Sequence, residues 1–344
     1  MMSIEGILCP ITLSEDSEEA LRYAFLLARS YHANLSLCHC APAPTLLRSL
    51  AAVVPKTGIN EELADSLSSY FGTADSSQSP CEVVVVQSGP DVGEEIVRTA
   101  SERRVDLIVM CSQRPRVATL LGSTAEQVVR TASCPVLVIH RQAADNKTKA
   151  IGPLGFARVL VSHDFSSSSE LALSYALSIA QTFQAALHLL HVLPEREEDA
   201  PKMPGNDVGA TSAYHRALKR LQDSIPAYVH EKCSVTYAVR WGKPYREVLG
   251  YAMEHEVDLV CMGALGRDFG MQALFGSNVD RVLRQANCPV LIASTIRPAK
   301  SMLLDLRAIA GHLDGLSSLL GFYFCLNCWA WVFGLGSSSF ASFA

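Results

Sequence analysis

The chain has 344 residues, of which 49% are apolar and 18% are charged, and its formal net charge is −5. This length is sufficient for two domains, each with its own hydrophobic core. Because positive charge is not in excess, the composition argues against a protein that holds nucleic acid through its phosphate backbone.

The N-terminal residues, MMSIEGILCP, lack the positively charged and apolar segments that form a secretion signal. The eleven cysteines show no regular pairing, and several lie within apolar runs, as Cys111 and Cys261 do. We therefore expect a cytoplasmic protein with reduced thiols.

Taken in chain order, apolar runs alternate with helical patterns, from GILCPI (6–11) to VLVIH (136–140) in the first half. After a polar stretch at 142–153, the second half repeats this order. Its predicted strands are RVLVS (158–162), LHLLHV (187–192), VTYAVR (235–240), DLVCM (258–262) and VLIAS (290–294). Helix-length connections between apolar strands predict a parallel sheet covered on both faces.

The two halves are copies of one unit. LSLCHC (35–40) aligns with LHLLHV (187–192), VDLIVM (105–110) aligns with VDLVCM (257–262), and SCPVLVI (133–139) aligns with NCPVLIA (287–293). We predict an α/β fold with two tandem, doubly wound, five-stranded parallel sheets. The predicted domains are 1–145 and 155–297, followed by an apolar extension, 298–344.

In doubly wound sheets, ligands bind at the carboxyl ends of the strands, where the winding direction reverses. This edge holds the loop SHDFS (162–166) and the loop GALGRDFGMQALFGS (263–277). Gly276 and Ser277 directly precede a helical pattern, and the N–H groups at a helix start favour an anion. The spacing is neither that of a P-loop nor G-x-G-x-x-G, and a glycine-rich turn without a ligand is the alternative.

Ser162, His163 and Asp164 are consecutive, which excludes a catalytic triad, because adjacent side chains cannot align as a triad requires. Asp164 is placed to accept hydrogen bonds from a ligand or to form an Asx turn before the next helix. His39 and His191 recur on the second strand of each copy. Because His39 faces away from Cys38 and Cys40, a packed or hydrogen-bonded histidine is favoured over a metal ligand.

The pattern G-x2-G-x9-G-S, formed by Gly263, Gly266, Gly276 and Ser277, resembles the ATP-binding signature of the universal stress protein family. VSHDFSSSSE, LLHV and CPVLI are also typical of that family, and the resemblance covers about 4–141 and 156–296. It implies a tandem universal stress protein with the five-stranded fold predicted above. It also implies ATP as the cofactor, with an accompanying Mg²⁺ left open.

The resemblance assigns roles to individual positions. Asp164 and Val192 would contact the adenine and ribose side, with Ser162 at the start of the same loop. Met262 and Gly263 would line the floor of the pocket. The phosphates would be surrounded by Gly266, Gly276, Ser277 and Asn278. The charge of Arg267, inside the loop, is our own addition to this set.

The first copy departs from the signature. Cys111 and Arg114 replace its first two glycines, and Thr12 stands where the second copy has Asp164, although Gly122, Ser123 and Thr124 remain. We therefore expect one ATP site, in the second copy. Because the first copy joins the same strand and helix without two of the glycines, we attribute the glycines of the second copy to a ligand.

Members of this family dimerise through their last strands. We therefore expect VLVIH and VLIAS to pair within the chain as a pseudo-dimer, and a homodimer of whole chains is left open. The first copy would then be a structural or regulatory partner of the second.

From Gly315 to Ala344 the chain carries no charged residue, and 316–336 is long enough to cross a bilayer as a helix. A membrane anchor, an apolar segment docked on the domains and an extension foreign to the family are the three alternatives.

For the function of the whole protein, we expect an ATP-binding switch in a stress response or in signalling, and at most a slow ATPase. An interaction module that works without nucleotide and, further behind, an enzyme that adenylates substrates are the alternatives.

Overall fold

The computed structural model describes residues 3–11, 17–42, 81–88, 91–112, 122–140, 155–194, 208–264 and 276–294. All of them belong to one compact unit, which spans Met1–Ile296. The predictions made for 316–336 concern residues outside this described part.

In the described residues, the first half contains five strands and three helices. They are β1 (Gly6–Ile11), α1 (Glu18–Tyr31), β2 (Asn34–Pro42), β3 (Cys81–Ser88), α2 (Val92–Glu102), β4 (Leu107–Ser112), α3 (Ser123–Thr131) and β5 (Val136–His140).

The second half follows the same order of elements. They are β6 (Arg158–Ser162), α4 (Ser167–Phe183), β7 (Ala186–Leu193), α5 (Val208–Asp223), β8 (Val235–Trp241), α6 (Pro244–Glu254), β9 (Leu259–Gly263), α7 (Ser277–Gln285) and β10 (Val290–Ala293). A short 3₁₀ turn, Ala227–Val229, lies between α5 and β8.

The strands form one sheet in the order β3-β2-β1-β4-β5-β10-β9-β6-β7-β8. Within each half every neighbouring pair is parallel. The α/β fold with two doubly wound, five-stranded parallel sheets is therefore confirmed. The two sheets are joined at their edges, so their ten strands are continuous.

The junction between the halves is the antiparallel pair β5–β10. Val136, Leu137 and Val138 lie opposite Ile292, Leu291 and Val290. All six side chains are at most 1% exposed. The pairing of the last strands expected from the sequence is thus present, and it removes two edges that would otherwise expose unpaired backbone groups.

The aspartate of the duplicated VDL motif accepts hydrogen bonds at the start of β1 in the first half and of β6 in the second. Asp106 Oδ2 accepts hydrogen bonds from the N–H groups of Glu5 at 2.8 Å and Gly6 at 3.0 Å. Asp258 Oδ2 accepts the matching pair from Ala157 at 3.0 Å and Arg158 at 2.8 Å. This contact is a structural reason for the motif in both copies.

Replacing Asp258 with alanine is expected to lower the free energy of unfolding by about 1–2 kcal/mol, because two strand N–H groups lose their charged acceptor. Asp258→Asn, which keeps an acceptor oxygen, should retain part of this stability. Urea unfolding measures both variants, with Asp223→Ala, at the exposed end of α5, as the control. Equal stability of Asp258→Ala and Asp223→Ala would show that these two hydrogen bonds do not stabilise the fold.

Candidate functional site

Several of the predicted site residues lie at one edge of the sheet, where β6, β7 and β9 end. β6 and β9 are neighbours, and the chain continues from them to strands on opposite sides, β7 and β10. A reversal of this kind creates the crevice in which open α/β sheets bind ligands. Ser162, the last residue of β6, lies beside Met262 of β9 in the register.

Asp164 forms the Asx turn that the sequence left as one of its two alternatives. Its Oδ1 accepts a hydrogen bond from the N–H of Ser166 at 3.0 Å and another from the hydroxyl of Ser166. Ser166 in turn caps α4, in a capping box with Ser169. The carboxylate is therefore held in place at the carboxyl end of β6 while it remains half-buried.

Phe165, between the Asx turn and the helix cap, has a left-handed backbone with φ of 63°. Such a conformation costs a non-glycine residue about 1–2 kcal/mol, so surrounding contacts must hold it. The guanidinium carbon of Arg220 lies 3.8 Å from the centre of the Phe165 ring. The ring of His191 lies on the same phenyl group, with its centre 4.6 Å away.

Each strand histidine forms a hydrogen bond at the end of the first strand of its half. His191 Nδ1 donates to the carbonyl of His163 at 2.7 Å, and His39 Nδ1 donates to the carbonyl of Ile11 at 3.2 Å. The hydrogen-bonded interpretation of these histidines is confirmed. In the second half, Phe165 N–H also donates to His163 Nδ1 at 3.3 Å. Burial lowers the pKa of His163, although Glu170 acts in the opposite direction.

Gly263 is required by the packing of α4, which corrects our attribution of this glycine to a ligand alone. A Cβ at this position would lie 2.6 Å from the backbone of Ser168 and Ser169 and 2.7 Å from the Cβ of Ser168. No side chain fits there without a shift of the helix. The glycine therefore lets the first turn of α4 approach the end of β9.

The first half has a cysteine in place of this glycine, and its first helix starts later. α1 begins at Glu18, the counterpart of Glu170, and so lies three residues behind the start of α4 at Ser167. Cys111 occupies the position that corresponds to Gly263 and is half-buried at the end of β4.

Among the described residues, Gly276 has no comparable structural reason to be glycine. Its φ of −74° and ψ of 136° suit any residue, and a Cβ would lie an ordinary 3.4 Å from the carbonyl oxygen of Ala264. Its N–H donates to that carbonyl at 3.1 Å, which closes the ends of the long loop. The described neighbours therefore leave room for a Cβ at this position and do not explain the glycine.

The start of α7 has N–H donors that the helix itself does not use. No side chain in the described residues caps this helix, in contrast to the capping box of α4. The N–H groups of a first helical turn have no partner within the helix, and the helix dipole adds partial positive charge there. Ser277 is exposed and Asn278 is half-buried at this end. The arrangement favours an anionic group.

Met262 and Val192 form the apolar side of the edge. Met262 is 5% exposed and belongs to the core cluster beneath α6 and α7, against which Val192 also packs. Both residues lie at the same edge of the sheet as Ser162, Asp164, Gly263, Gly276, Ser277 and Asn278. Gly266 and Arg267 lie outside the described residues, and their roles remain predictions.

The matching edge of the first half carries different chemistry. Cys40 occupies the position of Val192, and its sulfur lies 3.9 Å from that of Cys38. Gly122 begins α3 with φ of −60° and ψ of 141°, close to the angles of Gly276. Thr12 and Arg114 are outside the described residues. The helix start is thus retained in the first half, but the surroundings have changed.

Two further features concern only the described ranges between residues 3 and 294. They contain no group of three or more histidine, cysteine or acidic side chains placed to hold a metal ion. Within the same ranges, every helix is too short or too polar to cross a membrane.

The sequence analysis missed the contact between Arg220 and Phe165. It also missed that His163 accepts a hydrogen bond from the N–H of Phe165. Neither feature leaves a pattern in the neighbouring sequence. The backbone of Phe165 is left-handed although the residue is aromatic, and Arg220 is 55 positions away in the chain. The histidine on β7 was the available signal, since it recurs in both copies.

Comparison with known proteins adds an independent observation. The sequence profile of the universal stress protein family matches residues 4–140 and 155–294, once in each half. A universal stress protein of Mycobacterium tuberculosis is 30% identical over 215 residues, which is 59% of this chain and 69% of that protein. Universal stress protein G of Escherichia coli O157:H7 is 32% identical over 126 residues, 36% of this chain and 87% of that protein.

Solved structures agree with the fold. The crystal structure of a universal stress protein from Archaeoglobus fulgidus superposes with a TM-score of 0.60 at 20% identity, covering 85% of this chain and 98% of that one. A putative universal stress protein from Pseudomonas aeruginosa gives a TM-score of 0.59 at 18% identity, covering 90% and 98%.

Proposed function

Since the chain belongs to the universal stress protein family, we propose that its second half binds ATP at the edge formed by β6, β7, β9 and α7. Nucleotide binding would act as a switch in a stress response or in signalling, with the first half as a structural or regulatory partner. The observation that carries the proposal is the start of α7, where Gly276 adds no side chain and no side chain of the described residues caps the helix.

The residues present fit a nucleotide. The uncapped helix start and the Ser277 hydroxyl supply donors for phosphate oxygens. The half-buried Asp164 carboxylate, fixed by its Asx turn, supplies an acceptor for hydroxyl or amino groups on the opposite side. Val192, which is half-buried, and Met262, which is 5% exposed, supply apolar atoms at this edge. Such a division into an apolar floor and a few oriented polar groups is typical of small-molecule sites.

Each protein group has a distinct part in this site. The first turn of α7 would hold phosphate oxygens through its N–H groups, and Ser277 would donate a further hydrogen bond. Asp164 would orient the nucleoside by accepting from it. Bound ATP would add negative charge to this edge, and the packing of α4 on Gly263 links that edge to the core of the second half.

The proposal is tested by mass spectrometry of nucleotide released from the purified full-length chain, together with the thermal shift that added ATP produces. We expect adenine nucleotide in the wild type and a rise in its melting temperature. Gly276→Ala should weaken ATP binding at least about tenfold, because its Cβ would enter the space beside the N–H groups. Asp164→Asn, which can keep the Asx turn, should weaken it several-fold.

The first half supplies the matched control. Gly122→Ala makes the same change at the same place of the duplicated unit, and it should leave ATP affinity unchanged. A wild-type chain without bound nucleotide or ATP-dependent thermal shift would contradict the proposal. It would favour the alternative, an interaction module that works without nucleotide.

A further inference from the structure

A cluster of cations surrounds one tyrosine beside the proposed site. We call it the basic patch; it consists of Lys243, Tyr245, Arg246 and Arg281. The guanidinium carbon of Arg281 lies 4.5 Å from the centre of the Tyr245 ring, and that of Arg246 lies 5.8 Å from it. Arg246 Nε also donates to the Tyr245 hydroxyl at 3.0 Å, and this contact holds the pKa of Tyr245 below its usual range.

The cations of the basic patch have no carboxylate partner within the described residues. Their neighbours differ. Arg240 forms ion pairs with Glu247 and Glu254, and Arg284, on the same helix as Arg281, forms them with Asp280 and Glu126. Lys243, Arg246 and Arg281 are all exposed. The second half thus keeps the positive charges of Arg246 and Arg281 beside Tyr245, with Lys243 two residues earlier in the chain.

The corresponding place in the first half, where α2 begins beside α3, has no cluster of cations in the part that the structure describes. Its residues at the positions of Lys243, Tyr245 and Arg281 are Asp91, Gly93 and Gln127. Asp91 caps α2 by accepting from Gly93 N–H at 3.0 Å, and Gln127 Nε2 donates to its other carboxylate oxygen. In the second half, Lys243 stands at the start of α6 without a side-chain cap.

The basic patch lies at the edge of the sheet where the proposed nucleotide site is. Gly242, just before Lys243, is tied to the end of β7 by a 3.0 Å hydrogen bond from its N–H to the carbonyl of Leu193, the neighbour of Val192. Tyr245 and Val192 pack against the same core cluster. On α7, Arg281 is one turn beyond Ser277, about 5–6 Å along the same face.

Stacking prepares the guanidinium groups for a phosphate. An arginine that lies on an aromatic ring has already lost much of its side-chain freedom, and the N–H groups at its edge remain available. Paired N–H donors match two phosphate oxygens, so a guanidinium binds phosphate more specifically than a point charge does. A phosphate chain that begins at Ser277 would reach Arg281 one helical turn further on.

We infer that Arg281 and Arg246, ordered by Tyr245, form a subsite for the terminal phosphate of the nucleotide, which makes the second half selective for a nucleoside triphosphate over a monophosphate. The inference rests on the proposed function, because it assigns the far end of the same site. Lys243 adds charge to the subsite.

Isothermal titration of the full-length chain with ATP and with AMP tests this assignment. In the wild type we expect ATP to bind at least about tenfold more tightly than AMP. Arg281→Gln should remove most of this difference by weakening ATP about tenfold, with AMP changed by less than about twofold. Arg246→Gln should act in the same direction. These positions are exposed, and the melting temperature of the ligand-free variants checks that they fold.

A distant substitution separates a contact from the general field of the protein. Arg216→Gln removes one exposed positive charge from α5 and should leave both affinities unchanged. Equal losses for ATP and AMP in Arg281→Gln, unchanged ATP affinity, or an equal effect of Arg216→Gln would each overturn the subsite and leave the proposed function standing. A wild type that binds neither nucleotide would overturn both.

Discussion

Replacing Gly263 with alanine is expected to lower the free energy of unfolding by about 1–3 kcal/mol, the range typical of overpacked interiors. The added Cβ would lie 2.6 Å from backbone atoms of Ser168 and Ser169, and backbone in the first turn of a helix cannot rotate aside. The start of α4 would have to move away from the end of β9. Urea unfolding of the full-length chain measures the loss.

Gly276→Ala is the matched control for this prediction, because its Cβ would make only ordinary contact, 3.4 Å from the carbonyl oxygen of Ala264. Its stability should remain within about 0.5 kcal/mol of the wild type. The two glycines of one signature would then separate, with Gly263 acting on stability and Gly276 on ligand access. Equal stability of the two variants would show that α4 adjusts freely.

Leu291→Ala is expected to cost about 3–4 kcal/mol, within the range observed when buried leucines are truncated. Leu291 is fully buried on β10 and lies opposite Leu137 of β5, so the cavity would form where the two halves meet. Loss at this place should weaken both halves, since each completes its core against the other. Chemical unfolding followed by fluorescence and by circular dichroism measures the change.

Leu291→Met tests whether the lost side-chain volume, rather than the change of residue type, causes the loss of stability. A methionine fills most of the space of a leucine, so the loss should stay below about 1.5 kcal/mol. If Leu291→Ala unfolded with less than about 1 kcal/mol of lost stability, the junction would not be the shared core that the register indicates.

Much of the fold could be predicted from the sequence, because the duplicated strands carry their own pattern. VLVIH matches β5 at both ends, and LHLLHV (187–192) lies within β7, which extends by one residue on each side. Runs that are buried on both faces are apolar throughout, and the helix-length segments between them fix the parallel arrangement. The carboxyl edge follows from topology alone, which is why Asp164 and Ser277 could be assigned to the same edge in advance.

The reason for each residue was harder to predict than its place. The packing of Gly263 depends on where α4 starts relative to β9. The two elements are far apart in the sequence, so the sequence does not indicate this contact. The contact between Tyr245 and Arg281 likewise joins two helices that are separate in sequence. A glycine signature states which positions lack a side chain, but only the three-dimensional neighbours decide whether a helix or a ligand takes the space.

The antiparallel junction β5–β10 has a consequence for how this protein could diverge. In a symmetric dimer of identical chains, one mutation changes both subunits at once, so neither site can be altered alone. Here the two partners are encoded separately within one gene. Selection can therefore keep Gly263 and Arg281 in one half while Cys111 and Gln127 replace them in the other. Covalent fusion of the halves makes such a division of roles heritable.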